Sequence, residues 1–184
     1  MPNAPTHDLI TYLVTPCVFA GAEYYGFDHV TGLLTAGSVL FAGLMFGPDL
    51  DTLSTPYNRW GPLKFLWWPY QKALPHRSIF SHGSMALLGT VFRILYFHMM
   101  VTLVVFATIS SLRLIRSEPV DLGGQVVLIA DWLDTLYGSA TKIQWAGIFV
   151  GLWVGALSHT VADCTSTGWK RWKCSREGRR RRAS

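Results

Sequence analysis

The sequence predicts an all-α, polytopic membrane helix bundle of about four spans. Two observations carry this: the composition, and the uncharged runs it produces. Half of the 184 residues are hydrophobic and only 15% are charged, against roughly 25% charged in a soluble domain. The charge is also unevenly placed. Residues 170–184 hold eight basic residues and one acid (+7), while residues 1–169 hold eight basic and ten acidic (−2), which together give the net +5. A disordered protein, a collagen and a coiled coil are excluded by this composition. One compact unit is expected at this length: a membrane-embedded helical domain over 1–169, then a basic tail over 170–184. A soluble helical core with very few charges is the alternative.

Taken in order, residues 9–27 form the first and weakest span, because Pro16 and Glu23 lie inside it. Residues 30–47, VTGLLTAGSVLFAGLMFG, contain no charge. At about 1.5 Å per residue they nearly cross a ~30 Å hydrocarbon layer. Residues 48–84 hold five of the nine prolines (Pro48, Pro56, Pro62, Pro69, Pro75), so no long helix is expected there. Tyr57, Trp60, Trp67, Trp68 and Tyr70 in the same stretch suit a loop at headgroup level. Residues 85–112 form the third span, interrupted only by Arg93 and His98. Residues 113–142 are a mixed-charge connection with one short helix expected over 126–137. Residues 143–162 form the fourth span, where Gly147, Gly151 and Gly155 fall on one helical stripe and permit close packing in lipid. The tail has too little apolar content to fold alone. No secretory signal is expected, since the first eight residues carry no Lys or Arg. Cys17, Cys164 and Cys174 form no CxxC pair, so no disulfide framework is indicated.

Four spans put both ends on one side. The basic tail assigns that side to the cytoplasm by the positive-inside rule, and the 48–84 loop, with Arg59, Lys64, Lys72 and Arg77, faces the same way. On this topology the metal-capable residues converge. His7 and Asp8 precede the first span, Asp49 and Asp51 follow the second, His76 and His82 precede the third, and His159 and Asp163 close the fourth. All fall at the cytoplasmic edge. His159 and Asp163 are four apart, on one helical face. Alone, such a pair reads as a surface pair and the DxD as a helix cap. Four segments offering imidazole or carboxylate on one face of an apolar protein read as a metal site. The mixed ligands suit a divalent ion, Zn²⁺ or Mn²⁺ first and Fe²⁺ next, and several carboxylates often hold two ions. His29, at the opposite edge, and His98, mid-span, are read as structural. Glu23 and Arg93 are ionisable groups inside apolar segments and call for partners. For Arg93 the choice is a buried ion pair with an acid, or contact with an anionic substrate or a ligating carboxylate.

The stretches THD (6–8), FAGLMFGPDLD (41–51), YNRWGPLKFLWWPYQKALPHRSIFSHG (57–83) and GALSHTVAD (155–163) carry a resemblance to a bacterial family of metal-binding membrane proteins of uncharacterised activity. That family is related to the LexA-regulated, membrane-bound, metal-dependent hydrolases. The resemblance implies a multi-span inner-membrane protein whose metal site maps onto His7, Asp49, Asp51, His76, His82, His159 and Asp163. It names no substrate. The leading expectation is a metal-dependent hydrolase, with a phosphoester as its candidate substrate. Asp51, His76, His82, His159 and Asp163 are its preferred ligands, His7 and Asp49 its further or supporting ones, and Arg77 its holder of a phosphate or carboxylate oxygen. The alternative is a metal-binding membrane scaffold or assembly factor without turnover, since no nucleophile or general base stands apart from the ligands. Expected partners are membrane lipid, anionic headgroups on the basic tail, and a small-molecule or lipid substrate. Nucleic acid is not expected.

Overall fold

A computed structural model of the chain describes residues 4–74 and 86–182, with side chains followed to residue 165. The described residues are all-helical, with no strand among them. Seven α-helices run as α1 (Ala4–Tyr24), α2 (His29–Leu44), α3 (Thr55–Asn58), α4 (Trp68–Ala73), α5 (Leu87–Ile115), α6 (Leu122–Gly138) and α7 (Lys142–Arg182). Two 3₁₀ turns, Pro48–Asp51 and Gly61–Trp67, join them.

Three segments are long and apolar enough to cross a membrane: His29–Asp51, Leu87–Ile115 and Lys142–Thr165. They coincide with three of the four expected spans. The stretch 9–27 lies mostly in α1, which runs helical through Pro16 but is not apolar enough to join them. Its Glu23 is at the end of the helix, where Oε1 lies 3.1 Å from His29 Nδ1 across the α1–α2 turn. Gly26 makes that turn with φ of 78°, and Asp28 caps α2 by accepting from Thr31 N. The Asp28 carboxyl is held below its usual range by those Thr31 hydrogen bonds.

The bundle centre is α1, α2 and α7, with α2 packed between the other two. The glycine stripe explains how closely α2 and α7 approach. A Cβ at Gly155 would fall 2.6 Å from Val39 O and one at Gly151 would fall 2.7 Å from Ser38 Cβ, so only glycine fits there. At the other seam, a Cβ on Gly43 would meet Thr11 Cβ at 2.9 Å. By contrast α5 and α6 are loosely attached and expose Leu95, Met99, Leu103, Val126, Val127 and Leu128. An apolar cavity of about 550 Å³ opens between α2, α7 and α5, edged by Leu33, Phe41, Phe97, His98 and Phe149. His98 Nδ1 donates to Ile94 O (2.9 Å), and the ring stacks on Tyr137.

The proline-rich segment differs from the expected surface loop. Trp67 and Tyr70 are fully buried and Tyr57 and Trp60 nearly so, while Trp68 alone of these five is exposed. Phe46, Trp60, Trp67, Tyr70, Tyr96 and Phe97 pack ring to ring at 5.0–6.0 Å. Tyr96 Oη closes the contact by donating to Leu66 O at 2.6 Å. Short helices started by Pro56, Pro62 and Pro69 at their first turns therefore fold as a small aromatic-cored cap against α5. Two further boundaries differ. α6 starts at Leu122 because Asp121 caps it through Gly124 N, and α7 continues through the basic residues to Arg182.

Candidate metal centre

His7 lies in the second turn of α1, and its carbonyl accepts from Thr11 Oγ1 at 3.0 Å. Thr11 is the residue against Gly43, so the seam that brings α1 close to α2 also carries His7 inward. His159 follows Gly155 by four residues on α7, and Asp163 follows His159 by four. The helical spacing puts all three on the face that meets α2. Asp49 arrives from the 3₁₀ turn. Its carbonyl accepts from Ser54 Oγ (2.7 Å), Thr52 Oγ1 (3.1 Å) and Thr52 N (3.2 Å). Ser54 also caps α3 through Tyr57 N. With its backbone anchored in this way, the Asp49 carboxylate is turned toward α7.

The resulting cluster is tight. His159 Nε2 lies 3.0 Å from Asp49 Oδ2 and 3.9 Å from Asp163 Oδ2. His7 Nε2 lies 3.3 Å from Asp163 Oδ1. The two imidazoles stack with centroids 3.9 Å apart and planes 14° apart. One ligand atom each from His7, His159 and Asp163 falls within 4.8 Å of the others. Both imidazoles are buried. Burial holds His7 below its ordinary pKa, and the adjacent His159 pushes the same way against the pull of Asp163 and Asp49. A neutral imidazole is the form that offers a lone pair to an ion.

A cavity of about 190 Å³ opens on the cluster, with Asp49, Ser54, Thr55, His159 and Asp163 on its wall. At its rim Asp8 pairs with Arg59 through two contacts, 2.9 and 2.5 Å, and Arg59 also donates to Leu44 O at 3.0 Å. The hydrogen bond to Asp8 raises the Arg59 pKa.

The residues present fit a divalent ion. Two imidazoles and two carboxylates converge, and among the described residues His7 Nδ1 and His159 Nδ1 are buried with no hydrogen-bond partner. Nitrogen and oxygen donors of this kind suit Zn²⁺, Mn²⁺ or Fe²⁺.

Of the residues expected from sequence, His7, Asp49, His159 and Asp163 are brought together. Asp51 is buried and is not on the cavity wall. His76, His82 and Arg77 lie outside the described residues. His7 and Asp49, expected as peripheral, are central. His29 and His98 are elsewhere, on Glu23 and on Ile94 with Tyr137. The Arg59–Asp8 pair and the Ser54 anchor were not foreseen. Only the THD tripeptide hinted at Asp8, and nothing in the sequence pairs it with a residue 51 positions away.

Residues 2–173 match the family model described as "uncharacterized metal-binding protein (DUF2227)". Comparison with curated proteins finds no match, and comparison with solved structures finds none.

Proposed function

The chain belongs to that family of metal-binding proteins, and from this premise we propose that the His/Asp centre binds a divalent ion and hydrolyses a substrate at the cytoplasmic membrane surface. One observation carries the reading: His7, Asp49, His159 and Asp163 come from three separate stretches of chain and meet on one small polar cavity. A divalent ion held there, Zn²⁺ or Mn²⁺ first, supplies Lewis acidity toward a water and toward a carbonyl or phosphoryl oxygen. The chain's own groups do the rest. His7 and His159, both buried, offer ring nitrogens. Asp49 and Asp163 supply two negative charges. His76 and His82 are the further ligands expected from sequence, and Arg77 between them would hold a substrate anion as a planar, bidentate donor. The kinship of the resembled family to LexA-regulated, membrane-bound, metal-dependent hydrolases is the ground for reading hydrolysis ahead of a scaffold.

The membrane reading is that of four spans with both ends cytoplasmic in the inner membrane. α1 serves as the fourth span by packing against α2, where neighbouring helices satisfy the carbonyl that Pro16 frees. The basic tail meets anionic headgroups. Purified protein loaded with Zn²⁺ or Mn²⁺ should cleave at least one member of a phosphoester, ester and amide panel, and that cleavage should disappear in His159→Ala. Loaded protein that cleaves none of them counts against hydrolysis.

A second reading, a metal-stabilised scaffold without turnover, is favoured by one feature. Two imidazoles and two carboxylates already fill a tetrahedral shell, and a structural site leaves no open position. A structure of the loaded protein decides: only protein ligands favour the scaffold, and a bound water facing the cavity favours the hydrolase.

A further inference from the structure

His98 is a polar ring inside the apolar segment Leu87–Ile115, where a polar atom without a partner is costly. Nδ1 has its partner, Ile94 O at 2.9 Å. A carbonyl only accepts, so Nδ1 carries the proton, and Nε2 of the neutral ring keeps the lone pair. Among the described residues Nε2 takes no hydrogen bond. The ring is held in place by its neighbours. Its plane lies 11° from that of Tyr137. Trp145, near the start of α7, packs on Tyr137 with centroids 5.4 Å apart and donates Nε1–H to the Tyr137 carbonyl at 3.0 Å. His98, Tyr137 and Trp145 all stand on the wall of the apolar cavity between α2, α7 and α5. They mark one end of it, beside Leu33; Leu152, Phe41 and Phe46 line the other.

We propose that this cavity holds the chain of one single-chain lipid, a fatty acid or long-chain alcohol, whose terminal O–H donates to His98 Nε2. The volume of about 550 Å³ is that of a ligand pocket. From Leu33 to Phe41 the α2 wall rises about 12 Å, the length of about ten bonds of extended carbon chain. Gly37 lies on that wall, and a Cβ there would meet nothing within 4 Å. The glycines of the α7 stripe admit a neighbouring helix, whereas Gly37 widens the cavity. Water is a poor occupant, because it needs two to four polar partners and the wall is almost wholly apolar. Among lipid tails the chain gains little from apolarity alone, so its preference for this site comes from close packing and the His98 hydrogen bond. The cavity shares no wall residue with the one at the metal centre. The proposal is therefore independent of metal binding and of hydrolysis.

The test is photo-crosslinking of the purified full-length protein in detergent with a palmitate-length fatty acid carrying a mid-chain diazirine, the labelled residues being mapped by peptide mass spectrometry. Label should concentrate on cavity residues such as Phe41, Phe97 and Phe149. Unlabelled fatty acid and the alcohol of matched length should both compete, and the alkane of matched length should compete about tenfold less well, as the loss of one hydrogen bond requires. Gly37→Phe fills the cavity and should cut the label there by about fivefold or more, and His98→Leu should do the same by removing the polar end. Ala22→Phe narrows a second apolar cavity, between α1, α2 and α7, and should leave the label unchanged. Metal content should be that of the wild type in all three variants. Label spread evenly over exposed residues such as Leu95 and Leu103, without excess at the cavity, overturns the proposal. So does an alkane that competes as well as the alcohol, or an Ala22→Phe variant that loses as much label as Gly37→Phe. Should Gly37→Phe fail to fold, the wild-type label map and the competition series still decide.

Discussion

At the scale of residues, the centre depends on side chains whose backbones are held by other contacts. Asp49 presents its carboxylate because Ser54 and Thr52 grip its carbonyl. His7 is presented by Thr11 and by the close approach at Gly43. Arg59 does a different job. It ties Asp8 of α1 to the carbonyl that ends α2, through a partly exposed bidentate pair. An exposed pair contributes little, and a bidentate one with an added carbonyl somewhat more. Arg59→Ala should cost about 1 kcal/mol, lowering the melting midpoint in detergent by roughly 2–4 °C. Metal content should be unchanged, because neither partner is a ligand. Arg59→Lys should recover less than half of the loss, since a lysine cannot reproduce the planar fork. A loss of metal in Arg59→Ala at intact stability would instead make Arg59 part of the site. The sequence distinguishes these roles poorly. Asp49 and Asp51 look equivalent in GPDLD, and only the 3₁₀ turn reveals that one faces His159 while the other is buried off the cavity wall.

At the scale of elements, α7 is both a packing surface and a ligand carrier. Gly155 sits one turn before His159, so a side chain there pushes α7 off α2 at the point where the site is assembled. Gly155→Val should destabilise by about 1–3 kcal/mol, as overpacking does, and should lose bound metal as well. Gly37 is the matched control: it is a mid-helix glycine on α2 whose Cβ would meet nothing within 4 Å. Gly37→Ala should be neutral or stabilising by roughly 0.5–1 kcal/mol and should keep its metal. Thermal unfolding and elemental analysis of the two variants separate steric loss from a general intolerance of change. The stripe at Gly147, Gly151 and Gly155 was legible in the sequence because small residues at helical spacing have one physical use in an apolar helix. The burial of Trp60, Trp67 and Tyr70 was not. Aromatics among prolines have the same composition whether they rest on headgroups or fold into a cap, and only the rings of Phe92, Tyr96 and Phe97 on α5 decide between them. The early start of α6 was missed for a smaller reason: Asp121 is an ordinary cap residue preceding two glycines, which read as a break.

At the scale of the molecule, the proposed topology places the candidate ligands and the aromatic cap on one side of the bilayer and the α5–α6 connection on the other. In a background without native cysteines, single cysteines at Ser54 and Ser184 should label from the cytoplasm, and one at Ser117 only from the opposite face. Labelling of Ser54 and Ser117 from the same side would end the reading of α5 as a span. The site and the topology support one another because α2 and α7 bring Asp49, His159 and Asp163 to the same end of the bundle, while α1 adds His7 there. The central claim is that these residues hold a divalent ion, and metal analysis of the purified protein tests it most directly. Wild-type protein, dialysed after expression in metal-replete medium, should retain a stoichiometric divalent ion. His7→Ala and His159→Ala, folded by the same criteria, should retain less than about a tenth of it, because each removes a nitrogen donor from a buried set. Variants that hold the ion as well as the wild type, or a wild type that holds none when ions are supplied in excess, would contradict the account.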